Sequence, residues 1–395
     1  MRENEKWVPT LDPEAKVNLP KDLPMISVLV PAHNEEHAIE QCLRSILVQD
    51  YPNLELICVN DRSTDTTALL VSRLFEGRSN CLLVTIDHRP EGWTGKCHAL
   101  HVASKHAKGS WLAFLDADSS LHPGALKQCL NEVLKRKINF ITLTPKFILG
   151  SFWEKAIQPT LASMAPILFP LSQVNNPKSP VATANGMFFM VSRKAYDRIG
   201  GHENVKGLAV EDIGIGKRIK AAELGLLFAN GRKLLCTRMY SGCKDVIKGW
   251  TRILSAAMNY KALTALKYLP MHILVSLPSF LLGLFLYMSR APEVLPRCWF
   301  VLPLACALAM AVASIRYFDQ LGLPRRYSLY MTIGNLTLIM THLIIVKKIL
   351  CNDALQWRGE TYNNTRYRPK YLDPPAEETW EARSSKKLHD GCTSI

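Results

Sequence analysis

The sequence predicts an α/β protein in which an open parallel sheet, with helices packed on it, is followed by a region of membrane-crossing helices. Two observations predict this architecture. Short apolar runs alternate with helical patterns over the first third of the 395-residue chain, as expected of strand–helix–strand units. Long apolar blocks, each near the length of a membrane span, follow Tyr268.

The strands of the predicted sheet alternate with helices in a regular order. Each strand is a short apolar run, and each helix shows the period of an amphipathic segment. The predicted strands are Met25–Val30, Leu54–Val59, Leu82–Ile86 and Trp111–Leu115, and the predicted helices are Ala38–Val48, Thr66–Phe75 and Ala99–Lys105. Ser63 or Thr64 is expected to cap the second of these helices.

The apolar part of the chain begins within the predicted domain and continues after it. Phe152–Val174 is interrupted by three prolines, so it fits an amphipathic segment at a membrane surface or a buried wall of the domain. The blocks His272–Met288, Trp299–Ile315 and Leu329–Val346 are each about long enough to cross a bilayer, with buried core helices as the alternative. The basic tail favours a cytoplasmic C-terminus, so His272–Met288 is the candidate for a re-entrant or interfacial block.

Composition limits the compartment and the partners. The chain divides into a lead-in (1–24), a domain with candidate catalytic residues (25–260), an apolar region (261–350) and a polar tail (351–395). The lead-in lacks the apolar core of a signal peptide, so we expect the domain to be cytosolic. Eleven cysteines without a C-x-x-C pair favour free thiols. A net charge of +14 suits anionic lipids and nucleotide phosphates, and no nucleic-acid-binding motif is present.

Two acids directly follow the strand Trp111–Leu115. Asp116 and Asp118 are spaced i, i+2, so in an extended segment they project to the same face. They would lie at the carboxyl end of the strand, where open α/β sheets bind ligands. Such close carboxylates repel each other unless a cation or hydrogen-bond donors compensate, and Mg²⁺ or Mn²⁺ on a diphosphate would do so. The alternative is a strand-end turn with two solvated acids.

Further acids lie at the ends of elements. Asp61 follows the second strand, and Glu211-Asp212 precede a helical pattern over Ile215–Ala222. Each has a structural alternative, because Asp61 suits a helix cap or turn and acids are favoured at a helix N-terminus. A site for a metal and a diphosphate on an α/β sheet needs acids at these strand ends, so together they indicate one.

Three other side chains are candidates for binding. Lys96 lies just before a helix, and a helix N-terminus with a lysine forms an anion site. The alternative is a solvated surface lysine. Trp250 and Arg252 precede the apolar blocks, where a tryptophan and an arginine also serve as interfacial anchors.

The motifs, taken as an ordered set, resemble a known family. The set is Pro31-Ala32-His33-Asn34-Glu35-Glu36, Val59-Asn60-Asp61-Arg62-Ser63-Thr64-Asp65, Gly95-Lys96, Asp116-Ala117-Asp118 and Glu211-Asp212. With these spacings, residues 25 to 255 resemble family 2 glycosyltransferases of the GT-A fold. The loop Thr183-Ala184-Asn185-Gly186 and the stretch from Tyr196 through Ile199-Gly200-Gly201-His202 strengthen the resemblance. Together with Trp357–Tyr362, the pattern most resembles the membrane-bound, lipid-modifying members, which are the hopanoid- and carotenoid-associated glycosyltransferases and, more distantly, ceramide glucosyltransferase.

The resemblance implies a fold, an activity and a location. The fold would be a GT-A, Rossmann-like nucleotide-sugar-binding domain followed by a C-terminal transmembrane helical region. The activity would be an inverting, metal-dependent transfer of one sugar from a UDP- or GDP-sugar to a hydroxyl or carboxyl of a lipid acceptor. The protein would be integral to the cell or inner membrane, with its catalytic domain at the cytosolic face, and nucleic acid would not be a partner.

The resemblance also implies roles for individual residues. Pro31, Ala32 and Glu35 would line the nucleotide pocket, Asp61 would contact the base or ribose, and Lys96 would lie near the nucleotide. Asp116 would contact the ribose or sugar, Asp118 would hold Mn²⁺ or Mg²⁺ on the diphosphate, and Asp212 would be the catalytic base. The acceptor side would include Asn185, Gly186, Glu211, Trp250 and Arg252.

One departure and two alternatives qualify the expected activity. Processive members carry Gln-x-x-Arg-Trp, whereas this chain has Gly249-Trp250-Thr251-Arg252, which favours transfer of a single sugar. A nucleotidyltransferase shares an acid-rich α/β site but releases pyrophosphate. A catalytically inactive membrane scaffold is the second alternative, and the presence of Asp61, Asp118 and Asp212 argues against it.

Overall fold

The computed structural model describes residues 8–274, 301–353, 355–357 and 360–362. The strands of these ranges are β1 Ile26–Ala32, β2 Leu54–Asp61, β3 Cys81–Ile86, β4 Trp111–Leu115, β5 Ser119–Leu121, β6 Phe140–Thr144, β7 Lys146–Phe147, β8 Phe188–Ser192, β9 Leu226–Asn230, β10 Leu235–Thr237, β11 Leu355–Trp357 and β12 Glu360–Tyr362. The helices are α1 Ile39–Leu47, α2 Thr67–Phe75, α3 Gly95–His106, α4 Ala125–Arg136, α5 Phe152–Ala162, α6 Met164–Leu168, α7 Leu171–Val174, α8 Arg193–Arg198, α9 Glu211–Ala221, α10 Cys243–Ala257, α11 (262–274), α12 Val301–Gln320 and α13 Met331–Leu350, with 3₁₀ turns at Gly201–Val205 and Arg325–Tyr330.

The main sheet is mixed rather than purely parallel. Within the described ranges it contains seven strands in the order β3-β2-β1-β4-β8-β6-β9. The four predicted strands are present and run parallel, but β8 is inserted antiparallel to both β4 and β6. The predicted all-parallel sheet is therefore wrong at β8, since an apolar run gives no information on strand direction.

Helices cover both faces of the sheet and give the domain two apolar layers. On one face α1 and α4 bury side chains such as Leu43 and Leu130 against the sheet. On the other face α3 and α9 bury Leu100 and Ile215. Alternate residues of each strand supply the two layers, as the two-residue period of a strand requires. The predicted α/β class is thus confirmed.

Two helices begin earlier than the sequence predicts, and one cap is wrong. α3 starts at Gly95 and α9 at Glu211, so Lys96 and the Glu211-Asp212 pair lie in first helical turns. The predicted cap of α2 by Ser63 or Thr64 is wrong. The side chain of Asp65 instead accepts a hydrogen bond from Thr67 N at 2.9 Å, while Ser63 accepts from Asn34 N at 3.0 Å.

The proline-broken stretch 152–174 forms α5, α6 and α7 rather than one helix. α5 packs its inner face against α13, with Ala156, Leu161 and Leu338 in one apolar cluster. Its first residues, Phe152 and Trp153, remain 45% and 44% exposed. The segment is therefore a wall of the domain that also presents an apolar end to its surroundings.

The contact between α5 and α13 depends on a glycine. A Cβ added at Gly334 of α13 would lie 2.1 Å from Thr160 Oγ1 and 2.8 Å from the carbonyl oxygen of Ala156. Only a residue without a side chain allows the two helices to approach this closely. The apolar C-terminal region is therefore packed directly against the domain that contains the predicted motifs.

In the described ranges, residues Arg325–Leu350 form one continuous helical stretch of 26 residues that is long and apolar enough to cross a membrane. It contains the predicted block Leu329–Val346, and α12 contains most of the block Trp299–Ile315. The block His272–Met288 lies outside the described residues apart from its first three positions. The nine cysteines within the described ranges are all free, as predicted.

Candidate functional site

The predicted motifs meet at the carboxyl edge of the parallel strands. β1 lies between β2 and β4, so the order in which strands are added reverses at β1. Open α/β sheets bind ligands in the crevice beside such a reversal. Ala32 ends β1, Asp61 ends β2 and Asp116 directly follows β4. Three of the predicted site residues thus lie at this crevice.

Lys96 joins two of the acids. Its Nζ lies 2.6 Å from Asp116 Oδ1 and 2.8 Å from Glu211 Oε1. The first turn of α3 positions this lysine, because Thr94 caps the helix by accepting a hydrogen bond from Cys97 N at 3.3 Å. One cation therefore connects the acid after β4 to the acid at the start of α9.

The charges of this cluster displace the pKa values of its members. Burial alone would lower the pKa of Lys96, but the charges of Asp116, Glu211 and Asp212 raise it above its usual value. Burial raises the pKa of Asp116 to about 6, against the opposing charge of Lys96. Burial would also raise the pKa of Glu211, but Lys96 holds it below its usual value. The lysine therefore stays protonated and keeps Glu211 ionised.

Asp212 lies beside this cluster and is held by backbone donors. Its Oδ2 accepts a hydrogen bond from Gly186 N, and its Oδ1 accepts one from Ile213 N at 2.7 Å. Burial, with repulsion from Glu211, raises the pKa of Asp212 to about 7. A carboxyl with a pKa near neutrality is suited to accept a proton from a hydroxyl.

Gly186 is required by the closeness of these groups. A Cβ at this position would lie 2.8 Å from Asp212 Oδ2 and 3.1 Å from Lys96 Nζ. The loop that carries Gly186 is fixed by its neighbour, because Asn185 Nδ2 donates to the carbonyl of Leu143 at 2.7 Å. Asn185 thus anchors the loop to β6 through its own side chain.

Asp118 is held by groups from β10 and its neighbour Arg238. Thr237 Oγ1 lies 3.4 Å from Asp118 Oδ1, and Arg238 N donates to the carbonyl of Asp118 at 3.2 Å. The guanidinium of Arg238 in turn binds the fully buried carboxylate of Glu154, with two contacts of 3.3 Å. Sequence reasoning missed Glu154, Thr237 and Arg238. The capping-box spacing Ser151-x-x-Glu154 was a signal for the first of them.

The other end of the crevice carries Asp61. Its carboxylate accepts from both Arg62 Nε at 2.7 Å and Arg62 Nη2 at 3.1 Å, and its backbone carbonyl lies 2.5 Å from His33 Nδ1. Arg62 has a φ of +54°, a conformation that is uncommon without glycine and is concentrated at functional sites. This end therefore presents a paired acid and arginine.

The remaining residues predicted for the donor side line the start of the same crevice. Pro31 and Ala32 are paired with Val59 and Asn60 of β2, so their backbone lies at the sheet edge. The backbone N of Glu35 donates to Thr67 Oγ1 at 2.8 Å. This bond ties the loop after β1 to the start of α2.

Trp250 and Arg252 lie on α10, which packs against α5 and α13. Trp250 is 5% exposed in the cluster that also contains Leu254 and Leu338, so it is not an interfacial anchor. Arg252 Nη1 donates to the carbonyl of Ala209, two residues before Glu211. Arg252 therefore braces the loop that leads into the acids of α9.

The Gly200-Gly201-His202 motif is held by Tyr196. The hydroxyl of Tyr196 lies 2.8 Å from His202 Nδ1 and accepts a hydrogen bond from His202 N at 3.1 Å. Gly201 has a φ of +50°, and a Cβ there would lie 2.6 Å from the Tyr196 ring. Burial lowers the pKa of His202 to about 3, so its ring is neutral.

The donor set fits a divalent cation that a substrate helps to bind. Within the described ranges no three His, Cys, Asp or Glu side chains are grouped so that they alone could hold a metal ion. Mg²⁺ in proteins is commonly bound by one or two carboxylates together with substrate phosphates. Asp118, with Asp116 two residues before it, supplies carboxylates of this kind, and Lys96 already neutralises Asp116.

Comparison with known proteins shows what the chain is similar to. Residues 27–200 match the model of the family described as Glycosyl transferase family 2. A 4,4'-diaponeurosporenoate glycosyltransferase of Staphylococcus aureus (strain USA300) is 27% identical over 235 residues, which are 58% of this chain and 60% of the relative. The match thus spans less than two thirds of the relative's length.

A solved structure shares the fold. It is the mannosyltransferase PcManGT from Pyrobaculum calidifontis in complex with GDP-Man and Mn²⁺. The TM-score is 0.50 at 19% identity, and the likeness covers 88% of this chain and 93% of the other. It confirms the predicted GT-A, Rossmann-like fold.

Proposed function

We propose that this chain, whose residues 27–200 match the model of Glycosyl transferase family 2, transfers one sugar from a nucleoside-diphosphate sugar to a hydroxyl or carboxyl group of a lipid. The observation that carries the proposal is the contact of Lys96 with both Asp116 and Glu211, next to Asp212. This contact joins Lys96, which can bind an anion, to the acids beside Asp212, which can accept a proton. Glycosyl transfer needs both, for the leaving diphosphate and for the attacking hydroxyl.

The donor would occupy the crevice from Asp61 to Asp118. Asp61, with Arg62, would contact the base or ribose, and the backbone of Pro31 and Ala32 would line the pocket beside Glu35. Lys96 would bind the diphosphate, because a lysine at a helix N-terminus forms a site for an anion. Asp116 would contact the ribose or the sugar. Both UDP- and GDP-sugars remain candidate donors.

A divalent Mn²⁺ or Mg²⁺ would be held by Asp118 and by oxygens of the diphosphate. When bound, it would supply Lewis-acid stabilisation of the charge that develops on the leaving group. The chain's own contribution is to hold Asp118 in place through Thr237, Arg238 and Glu154. The presence of Mn²⁺ with the donor in PcManGT supports this assignment.

Asp212 is proposed as the catalytic base. Its ionised carboxylate would take the proton from the acceptor hydroxyl, while Gly186 N–H and Ile213 N–H hold it in orientation. A single base opposite the leaving group supports direct displacement, with inversion at the anomeric carbon. No second carboxylate is then needed as a covalent nucleophile.

The acceptor is proposed to be a lipid at the cytosolic membrane face. α13 and the apolar face it exposes support a membrane location for the protein. The relative from Staphylococcus aureus is named for glycosylation of diaponeurosporenoate, which is an apolar acid. Gly249-Trp250-Thr251-Arg252, in place of Gln-x-x-Arg-Trp, supports the transfer of one sugar rather than polymer synthesis.

The test is to incubate the purified full-length protein with a panel of nucleotide sugars and a total lipid extract. The expected result is a lipid whose mass has increased by one sugar, with release of nucleoside diphosphate. Asp212→Asn serves as the control for transfer by a contaminant. Transfer to water-soluble sugars alone would overturn the lipid assignment, and release of pyrophosphate would identify a nucleotidyltransferase. No product with any donor would favour an inactive scaffold.

A further inference from the structure

Four aromatic side chains gather where α5 begins and α13 is about to start. We define the belt as Phe152, Trp153, Tyr327 and Tyr330. The ring of Phe152 lies 5.2 Å from that of Trp153 and 5.2 Å from that of Tyr330, and the rings of Tyr327 and Tyr330 are 6.3 Å apart. The belt therefore joins two segments that are far apart in the sequence.

Two basic side chains lie over one ring of the belt, that of Tyr327. Lys155 Nζ is 5.9 Å from the centroid of Tyr327, and the guanidinium of Arg326 is 5.8 Å from it. Arg326 is exposed and Lys155 is partly exposed. The belt thus combines amphipathic rings with positive charge, the combination that anchors proteins at the headgroup level of a membrane.

An apolar stripe continues from the belt along the outer face of α13. Ile333, Leu336, Met340, Leu343 and Leu350 recur at helical spacing, and all are substantially exposed. The opposite face of the helix, with Gly334, Leu338 and Ile345, is buried against the domain. A stripe of large apolar side chains of this length on the outside of a packed helix suits hydrocarbon rather than water.

From this arrangement we infer that the belt contacts the anionic phospholipid headgroups of a bilayer, while the stripe on α13 contacts its hydrocarbon. The inference rests on the membrane location in the proposed function and adds the surface, its depth and the lipid charge. Charge complementarity selects the occupant, because Lys155 and Arg326 present cations beside the rings. The anionic headgroup is the membrane component that matches them.

The belt is structurally joined to the candidate metal residue. Phe152 and Trp153 are the first residues of α5, and Glu154 follows directly. Glu154 binds Arg238, whose backbone donates to Asp118. We therefore expect the headgroup level reached by the belt to lie near the proposed transfer site, where the acceptor's reactive group would meet the membrane surface.

The experiment places the full-length protein in lipid nanodiscs that contain brominated phospholipids, which quench nearby tryptophan fluorescence. The contribution of Trp153 is obtained as the difference between wild type and Trp153→Phe. The expected result is strong loss of that contribution with bromine near the headgroup, and a smaller loss with bromine deep in the chains. Trp111→Phe, which removes a tryptophan from the sheet core, is the matched control and should leave the quenching unchanged.

The charge part is tested with equal small fractions of brominated anionic or brominated zwitterionic lipid. Quenching of Trp153 should be stronger with the anionic lipid, and Lys155→Gln with Arg326→Gln should reduce that excess, by about fivefold for each cation removed. Lys135→Gln, at an exposed lysine of α4, should not. Equal quenching by both lipids overturns the headgroup assignment, and absence of quenching overturns the belt. Sugar transfer measured in the same nanodiscs is the separate readout for the proposed function.

Discussion

The carboxylate of Glu154 and the guanidinium of Arg238 form a paired contact, with two distances of 3.3 Å between their atoms. Glu154 is fully buried and also accepts from Gly150 N at 2.8 Å and Ser151 N at 2.9 Å. Arg238 N donates to the carbonyl of Asp118. The start of α5 is thus coupled to the residue proposed to hold the metal.

Glu154→Gln should weaken metal-dependent binding of the nucleotide. The substitution keeps the shape of the side chain but removes the charge that holds Arg238, so Asp118 loses part of its support. We expect the dissociation constant for nucleoside diphosphate with Mn²⁺ to rise about tenfold, as for a lost charged hydrogen bond of about 1.5 kcal/mol. Calorimetry measures it. Glu132→Gln, which breaks a similar contact with Arg136 on α4, is the control, and an equal effect of both variants contradicts the coupling.

Asp118→Ala should abolish the metal-dependent part of donor binding. The affinity for the nucleotide sugar should become the same with Mn²⁺ and with a chelator, whereas wild type should differ between the two conditions. Asp87→Ala, at an exposed acid after β3, should behave as wild type. If wild type binds and turns over equally well in chelator, Asp118 has another role.

Asp212→Asn should stop transfer and leave donor binding nearly intact. Asparagine is isosteric and can still accept hydrogen bonds through its Oδ1, but it cannot take a proton. Loss of a general base lowers the rate by about 10²–10⁴-fold. Initial rates and donor affinity are measured on the same preparation, with Asp197→Asn on the exposed side of α8 as the control. Turnover near the wild-type rate would remove Asp212 from the mechanism.

Acidification should lower activity and raise the contribution of Asp212 to stability. Burial and Glu211 raise the pKa of Asp212 to about 7, so the rate should fall as the pH drops through about 7. A carboxyl whose pKa is higher in the folded chain stabilises the fold below its unfolded value of about 4 and loses this contribution as the pH rises through the folded value.

The pH response is measured as initial rates and thermal midpoints of wild type and Asp212→Asn. The difference in midpoint between the two proteins should change across this range, in favour of wild type at the lower pH. Loss of rate together with loss of the wild-type midpoint would mean that acid unfolds the protein, and the rate would then report nothing about the base.

Gly334→Val should destabilise the whole protein rather than α13 alone. The new side chain would collide with Thr160 and Ala156 of α5, and overpacking of this kind costs about 1–3 kcal/mol. The thermal midpoint in detergent should fall, and metal-dependent nucleotide binding should weaken with it. Thr332→Val, at an exposed position two residues earlier, should change neither. Unchanged stability of Gly334→Val would separate α13 from the domain.

The sequence was sufficient to predict the residues that gather at the sheet edge. Parallel strands bring their carboxyl ends to one edge of a sheet, so Asp61 and Asp116 were expected at the same edge once β2 and β4 were recognised. The 3.6-residue period also located α1 and α2 closely. The order of the motifs along the chain strengthened the prediction further, because no single acid is specific enough to indicate the site.

The contacts that support the site were beyond sequence reasoning. Glu154 and Arg238 are 84 residues apart, and nothing in either segment names the other. In the sequence, β8 is an apolar run like any other strand. Its antiparallel direction was therefore not predictable, and neither was the position of Gly186 just before it. The resemblance implied that Trp250 lies on the acceptor side, and its position before apolar blocks also fitted an interfacial anchor, whereas tertiary packing buries it.

The position of Lys96 has a consequence for how the activity of this protein can diverge in evolution. Because one lysine contacts both Asp116 and Glu211, a substitution there would disturb, in a single event, a residue proposed to bind the donor and a residue proposed for the acceptor side. Inherited changes in acceptor preference should therefore accumulate at positions that contact none of Lys96, Asp116 and Glu211. Lys96, Asp116 and Glu211 would then limit which substitutions are tolerated, and new acceptors would be acquired through changes at other positions.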